Sequence, residues 1–389
     1  MGFSQALSGL SAASTDLNVI SNNISNSETV GFKSSTTEFA DVYADAEVGL
    51  GTSVSGVVQN FESGSLTTTD NDLDLAVSGD GFFVFNDGTT TTYSRDGQLT
   101  LSSDGYLENA AGAKLVGASG VIQIPSSGLQ ASATTEVDAT LNLDSSSDAI
   151  TSTFDATDAT SYSYSTSATV YDSLGNSHSM TLYFAKSDDT NTWNVYTAID
   201  GNTVTDDDGN AVSQEVAFDT SGLLTSGATA TYSYDPDNGA AEMSIELDLT
   251  GTTQFGNDFE LSSSSQDGYT SGSLTGFTID SSGNVVASYS NDQTQIIDQI
   301  VLATFNNEQG LKAVGDNSWT ATTESGVALL GTAGTGQLGS IESGVTEDSN
   351  VDLTTELVNL IIAQRNFQAN SQSVKTQSEV LQQAVSLGS

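Results

Sequence analysis

Apolar side chains recur every seven residues at both ends of the chain and at shorter, strand-like spacings through much of the middle. Over residues 3 to 24, Phe3, Leu10, Leu17 and Ile24 fall seven apart, with Leu7 and the small Ser14 and Ser21 at the alternate position. Over residues 353 to 385, Leu353, Leu360, Phe367, Val374 and Leu381 repeat at the same interval, with Leu357 and Val385 at the alternate position. Such a repeat is the seam along which helices pack on other helices, so the spacing predicts a helix at each end. The two helices can pair within one chain. That pairing would still leave apolar surface uncovered, because Ala6, Ala13 and Ile20 widen the first stripe and Val358 and Ile361 widen the second. Both stripes are therefore expected to be buried by neighbouring copies. The C-terminal segment would form a rod about 50 Å long, and its five seam side chains would contribute on the order of 10 kcal/mol if fully buried. An unpartnered helix of this kind is marginal in water, so both ends are expected to be mobile in a monomer and ordered in an assembly.

Between the ends the pattern changes to strands and turns. Gly31, Gly49, Gly51 and Gly56 mark residues 31–70 as an extended connector, with Gly31, Gly49 and Gly51 as candidate hinges. From Leu73 apolar and small residues alternate, and Phe82-Phe83-Val84-Phe85 leads into a turn at Asp87-Gly88. Asp96-Gly97 and Asp104-Gly105 predict further tight hairpins. Residues 146–284 are richer in Ser, Thr and Asp, with strands over 179–185 and 193–199. Asn238-Gly239, between Tyr232-Ser233-Tyr234 and residues 243–249, is the strongest hairpin signal. The fold class is mixed and mainly β, with inserted β-domains, sandwich or barrel-like, carried on a coiled-coil pair of N- and C-terminal helices. The expected division is 1–30 and 350–389 as terminal helices forming an inner tube, 31–70 as connector, 71–145 with 285–349 as inner β-domain, and 146–284 as outer β-domain.

Charge narrows the choice of partner. Seven Lys and Arg stand against fifty Asp and Glu, a net charge of -43, which argues against nucleic acid or an anionic membrane as a ligand. The helical ends are almost free of this excess: residues 1–30 hold only Asp16 and Glu28, and residues 350–389 set Asp352, Glu356 and Glu379 against Arg365 and Lys375. Repulsion is thus concentrated in the middle, which leaves the ends free to associate. Cysteine is absent, so there is no disulfide framework and no thiol chemistry. No apolar run is long enough to span a membrane. The first 30 residues lack the basic and apolar regions of a secretory signal. A composition that looks extracellular is then reconciled by export as an unfolded chain without a cleaved signal.

Candidate chemistry is sparse. His178 is the single histidine, which rules out a His-based metal cluster and rests any Ser/His/Asp triad on one residue in an apparent turn. Asp235, Asp237 and Glu246 occupy positions one, three and twelve of a calcium loop, but the required glycine at position six is Ala240. Asp206-Asp207-Asp208-Gly209 reads as a solvated turn. Paired carboxylates for glycoside hydrolysis are available by count, although two Trp and scattered aromatics make a poor sugar cleft. No catalytic residue, cofactor or metal ligand is assigned.

Longer motifs carry a resemblance. Residues 17–33, LNVISNNISNSETVGFK, resemble the N-terminal signature of bacterial flagellar axial proteins, the family of rod and hook subunits. Phe61, Gly64 and Leu66, residues 73–83 (LDLAVSGDGFF), Tyr93-Ser94-Arg95-Asp96-Gly97, and Gly112, Leu115 and Gly117 are similar to the β-block those subunits share. Residues 349–353 and 363–368 (AQRNFQ) resemble the family's closing helix. Residues 170–175 (VYDSLG), His178, Trp193 and residues 303–311 (ATFNNEQGL) resemble the hook subunits in particular, since rod subunits are shorter and generally lack so large an insertion. The chain departs from the hook pattern at Asp292, where glycine is usual, and at Glu308, where proline is common.

The resemblance implies a structural subunit, not an enzyme, that self-assembles into a helical homopolymer. The product would be a curved hollow tube, a universal joint passing motor torque to the filament. Implied partners are rod subunits, the hook cap, hook-filament junction proteins and the flagellar type III export apparatus. The implied location is the extracellular hook. The polymerisation interface would comprise Phe3, Leu7, Leu10, Leu17, Ile24, Leu353, Leu357, Leu360, Phe367, Val374 and Leu381. A distal rod subunit, a secreted β-rich adhesin and a polysaccharide-cleaving enzyme are the alternatives.

Overall fold

The computed structural model describes residues 2–43, 51–206 and 209–387. Helix α1 spans Gly2–Ser25 and helix α2 spans Leu353–Leu387, each within two residues of the span the heptad spacing predicts. The side chain of Val385 and the whole of Gly49 lie outside the described residues. Asp352 caps α2: its Oδ1 accepts the amides of Thr354 at 2.9 Å and Thr355 at 3.3 Å, which satisfies donors that a helix start leaves open. Among the described residues everything between the helices is strand, turn and loop apart from one short 3-10 turn, Glu308–Gly310. Among the described residues no helix is long and apolar enough to cross a membrane.

The chain divides into two compact units, one of residues up to 126 with 277–287 and 295 onward, the other of residues 127–276 with 288–294. In the first unit the expected extended connector is largely folded. Strands β1 (Ser35–Val42) and β2 (Gly51–Gln59) form an antiparallel hairpin, with Ser35 opposite Gln59 and Val42 opposite Gly51, and both strands pack on α1. Gly51 and Gly56, read as chain breakers, sit instead inside this hairpin. Beyond it, Leu66–Thr68 pairs with Val345–Glu347, and Asp74–Ser78 pairs with Ser340–Ser343. The two sequence-distant halves of this unit thus close on each other strand by strand. Its core holds Phe82, Val84, Tyr93, Val301, Ala303, Phe305 and Trp319, with Tyr93 and Phe305 meeting edge to face at 4.8 Å. The hairpin predicted at Asp87-Gly88 joins Phe82–Asn86 to Thr91–Ser94, and that at Asp104-Gly105 joins Thr100–Leu101 to Leu107–Glu108. Asp96-Gly97 is not a hairpin turn. Gly97–Gln98 pairs with Asp74 and Leu75, and glycine is needed there because a Cβ would collide with the Leu75 carbonyl.

The second unit is a β-sandwich. Its five-stranded sheet is organised on Glu136–Asp144 and its six-stranded sheet on Ser177–Lys186 and Thr192–Ile199. Inward residues alternate along both central strands, so Val137, Leu141 and Leu143 meet Val170, Met180, Leu182 and Trp193 in one core. The hairpin expected around Asn238-Gly239 is present, with Thr229–Tyr234 antiparallel to Met243–Asp248. The unit begins earlier than residue 146. Strand Glu136–Asp144, read above as part of the inner domain, pairs with Met243–Asp248, Thr253–Phe255 and Glu260–Gln266. Asp292 has φ 59 in its tight turn, the left-handed conformation that glycine adopts freely and that Asp tolerates.

Candidate polymerisation interface

Helices α1 and α2 pack on each other within the chain, and that packing leaves part of each heptad stripe half-buried and part open. The closest approach is between small and polar residues: Ala12, Ala13 and Ala363 are buried, and Gly9 lies so close to α2 that a Cβ would sit 2.9 Å from Asn370 Nδ2. Near the C-terminal end of α1, the buried Asn23 donates from Nδ2 to Glu356 Oε1 at 3.1 Å and to the Ser35 carbonyl at 2.8 Å. Its Oδ1 accepts the Ser35 amide at 3.0 Å. One asparagine therefore ties α1 to α2 and to β1. The small-residue set Gly9, Ala12, Ala13 was the sequence signal for this contact.

Some of the large apolar residues remain open. Phe3 and Leu7 on α1 and Leu353, Leu357 and Leu381 on α2 are exposed. Leu10, Leu17, Ile24, Leu360, Phe367 and Val374 are half-buried. At about 100° per residue, Leu360, Phe367 and Val374 lie on the same face of α2 as the buried Ala363. Val358 and Ile361 lie about 140° to 160° around α2 from the buried Ala363, with Leu357 on one side of them and Ile362, at the edge of the α1–α2 cleft, on the other; Val358, Ile361 and Ile362 are 53%, 50% and 52% exposed. The heptad count assigns Leu357 to the stripe and Val358 and Ile361 to its margin, and it leaves Ile362 out. The open apolar face is centred on Val358 and Ile361.

A buried ion cluster fixes the root of the helices. Lys33 Nζ lies 2.6 Å from Glu347 Oε1 and donates to the Glu62 carbonyl at 2.7 Å. Arg95 Nη1 donates to the Gly79 carbonyl at 2.8 Å and reaches Glu347 Oε2 at 3.5 Å, with its guanidinium 5.3 Å from the centre of the Phe82 ring. The Gly64 amide completes the carboxylate at 2.8 Å. Burial pushes the Lys33 pKa down, and the charge of Glu347 only partly restores it. Lys33 and Arg95 belong to recognisable motifs. Glu347 stood in no pattern and was missed. Beside the cluster, Asn350 accepts the Ser34 amide at 2.8 Å and donates to the carbonyls of Asn60 and Glu62.

The candidate hinges occupy close approaches. Gly31 has φ 69, donates its amide to the Glu347 carbonyl at 2.8 Å, and leaves 2.7 Å between an imagined Cβ and the Asp96 amide nitrogen. Gly51 has φ 124, and a Cβ there would collide with Ser8 Oγ of α1. Both positions exclude side chains because other chain segments pass so near.

His178 sits between two carboxylates in the second unit. Its Nδ1 is 2.6 Å from Asp200 Oδ2 and its Nε2 is 3.3 Å from Asp172 Oδ2. Asp172 also accepts from Asn176 and Asn238 at 2.9 and 2.7 Å. Burial opposes the imidazolium, but hydrogen bonds and charge from Asp200 and Asp172 raise its pKa overall. With a carboxylate on each ring nitrogen, neither is left for a serine hydroxyl, so this is a structural clamp and not a nucleophile relay. Glu246 lies in a strand opposite Glu136, away from any loop it could close with Asp235 and Asp237. Asp206 accepts the Asn210 amide in a turn, while Asp207 and Asp208 lie outside the described residues.

Comparison with known proteins gives a consistent family. Four family profiles match in chain order: Flagella basal body rod protein over residues 4–33, Flagellar hook protein FlgE/F/G D1 domain over 76–142, Flagellar basal body protein FlaE D2 domain over 142–269, and Flagellar basal body rod FlgEFG protein C-terminal over 342–387. The chain is 43% identical to the flagellar hook protein FlgE of Escherichia coli (strain K12) over 407 residues, covering 100% of both chains. It is 30% identical to FlgE of Treponema pallidum over 98% of both. The crystal structure of Helicobacter pylori flagellar hook protein FlgE2 shares the fold at TM-score 0.56 and 15% identity, covering 71% of this chain and 99% of that one.

Proposed function

The chain belongs to the flagellar hook protein family, and on that premise we propose that it polymerises through the open faces of α1 and α2 into a curved hollow tube. It is a structural subunit of the flagellar hook. The observation that carries the assembly reading is the row Leu357, Val358, Ile361 and Ile362, left open although α1 and α2 already pair. A contiguous apolar face of that kind calls for a protein partner, and the low charge of the helical ends suits association of like chains.

The finer reading assigns the heptad residues Phe3, Leu7, Leu10, Leu17, Ile24, Leu353, Leu357, Leu360, Phe367, Val374 and Leu381 to helix contacts between copies, with Val358, Ile361 and Ile362 added. The tube acts as a universal joint, and the sandwich unit supplies weak, polar, exchangeable contacts through its Ser, Thr, Asn and Asp side chains. The chain has no catalytic task. It is exported by the flagellar type III apparatus without a cleaved signal, and it meets rod, cap and junction proteins at the ends of an extracellular tube. Gly31, Gly49 and Gly51 set the bend of the 31–70 segment.

Electron microscopy of the purified chain tests this directly. Tubes of fixed diameter are expected from the natural sequence. Ile361→Asp should give none while both units keep their unfolding midpoints, because an unpaired charge buried between copies costs several kcal/mol. Normal tubes from Ile361→Asp would sink the assignment of this face.

A further inference from the structure

Three features on the first unit describe an unfinished ion pair. The cleft where α1, α2 and β1 meet has a volume of about 180 Å³ and is lined by Asp16, Val19, Ile20, Glu356, Asn359 and Ile362, among others. Glu356 offers Oε1 to Asn23, but its Oε2 is buried without a hydrogen-bond partner. Among the described residues no cation pairs with Asp16 or Glu356, since the ion pairs are confined to Lys33, Arg95 and His178. An unpartnered buried carboxylate oxygen is costly.

Cations are scarce, and most are engaged. Of the seven, Lys33 and Arg95 hold Glu347, Lys186 donates to the carbonyls of Ser145 and Ser147, and Lys114 lies over the Tyr106 ring. Among the described residues Lys312, Arg365 and Lys375 have no such engagement and are exposed, and of these Arg365 is the one whose place on α2 adjoins Val358 and Ile361. It is nine residues beyond Glu356, so at 3.6 residues per turn it lies about 180° around α2 and about 13 Å along it. That puts it on the open apolar face, one and two turns from Ile361 and Val358.

We propose that Arg365 of one copy seats its guanidinium in the α1–α2 cleft of a second copy, against Asp16 and Glu356, while Val358 and Ile361 close around it. The proposal rests on the self-assembly reading above and names the polar lock within it. Charge complementarity selects the occupant: a near-neutral helical end with two carboxylates in a cleft meets an arginine ringed by apolar side chains. Arginine suits the task because its planar fork matches a carboxylate and is more weakly hydrated than an ammonium. Donor and acceptor lie on opposite sides of α2, so the contact is head to tail. A heterologous contact of that kind extends into an open helical filament and does not close as a two-fold dimer.

The test is the critical concentration for polymerisation, read by sedimentation and electron microscopy. Arg365→Glu should raise it by about tenfold or more with the monomer's circular dichroism unchanged. The charge swap Asp16→Arg with Arg365→Glu should bring it back to within about threefold of the natural chain. If the swap fails to fold, Glu356→Gln keeps the Asn23 hydrogen bond, and its effect should be no worse when combined with Arg365→Glu. Tubes from Arg365→Glu at the natural critical concentration, or fully additive effects of Glu356→Gln, would overturn the lock. Loss of tubes in Ile361→Asp but not in Arg365→Glu removes the lock and leaves the assembly reading standing. Absence of tubes from the natural chain removes both.

Discussion

Lys33 and Glu347 stand 314 positions apart in the chain and meet with Nζ 2.6 Å from Oε1, both side chains wholly shut off from solvent. One belongs to the segment leaving α1 and the other to the segment entering α2, so this pair clamps the root of both helices to the strands between them. Glu347 also balances Arg95. Removing it leaves two buried cations sharing no carboxylate.

Glu347→Ala should therefore destabilise the first unit by about 3 to 5 kcal/mol, the cost of breaking a buried pair from one side. Lys33→Met with Glu347→Leu should cost less than the sum of the single changes. The two tryptophans allow each unit to be read alone: Trp319 lies in the first core and Trp193 in the second. With Trp193 replaced by Phe, denaturant titration followed at Trp319 measures the effect. A loss below about 1 kcal/mol would show that solvent reaches the cluster and relieves it.

The second unit should carry a pH signature of His178. Its folded pKa lies above the unfolded value of 6.5, so the contribution is full below that pH and is lost as pH rises through the folded value. For Asp172, burial works against ionisation, but hydrogen bonds from Asn176, Asn238 and His178 prevail and lower its pKa. Asp200 is lowered likewise by His178 and Ser179 against its own burial. Their contributions are full above the usual carboxylate range and are lost in acid. The unfolding midpoint read at Trp193 should form a plateau from about pH 4 to 6.5 and fall on either side. His178→Gln should remove the alkaline fall. A midpoint flat from pH 6 to 9 in the natural chain would contradict the clamp.

Order along the helices should be graded. Asn23, Ile20 and Ala363 are buried, whereas α2 beyond residue 375 exposes nearly every described side chain. Isolated helix of that kind is marginal in water. In dilute subunit, amide hydrogen exchange should be slow near residues 20–25 and 356–363 and fast beyond 375. In polymer the whole of both helices should be protected. Uniform slow exchange along α2 in a verified monomer would mean that it needs no neighbour.

How much of this was legible depends on the range of the interaction. The heptad period placed α1 and α2 to within two residues, because periodicity is local and strong. It also drew attention to the large side chains, while the closest approach is at Gly9, Ala12, Ala13 and Ala363, where tight packing selects small residues. The strands at 82–86, 177–186 and 192–199 were readable from alternation or apolar runs. The β1–β2 hairpin was not, since β1 is mostly exposed and is held by α1 and not by its own apolar face. Glu347 was invisible because its partners come from residues 33, 64 and 95. Nothing near it in the sequence announces a buried carboxylate.

The domain boundary has a consequence for deletion. Val137, Ala139, Leu141 and Leu143 are buried in the sandwich core, and their partner strands all lie beyond residue 240. Cutting out residues 146–284 removes every one of those partners and leaves four apolar side chains on an unpaired strand. An exposed strand edge of that kind aggregates. Cutting out residues 128–275 with a short flexible linker removes that strand together with its partners and retains the first unit's residues 277–287, so this shorter chain should stay soluble and keep α1, α2 and the Lys33–Glu347 clamp. It should still form tubes, with curvature altered by the loss of sandwich contacts. The full chain's curvature should respond to salt more strongly than the truncated one's, because repulsion among acidic sandwiches is screened over about 10 Å at 0.1 M ionic strength. Size-exclusion chromatography of the two deletions, then electron microscopy at low and high salt, decides the matter. Equal solubility of both deletions would move the boundary back to residue 146, and identical salt responses would remove the sandwich unit from control of curvature.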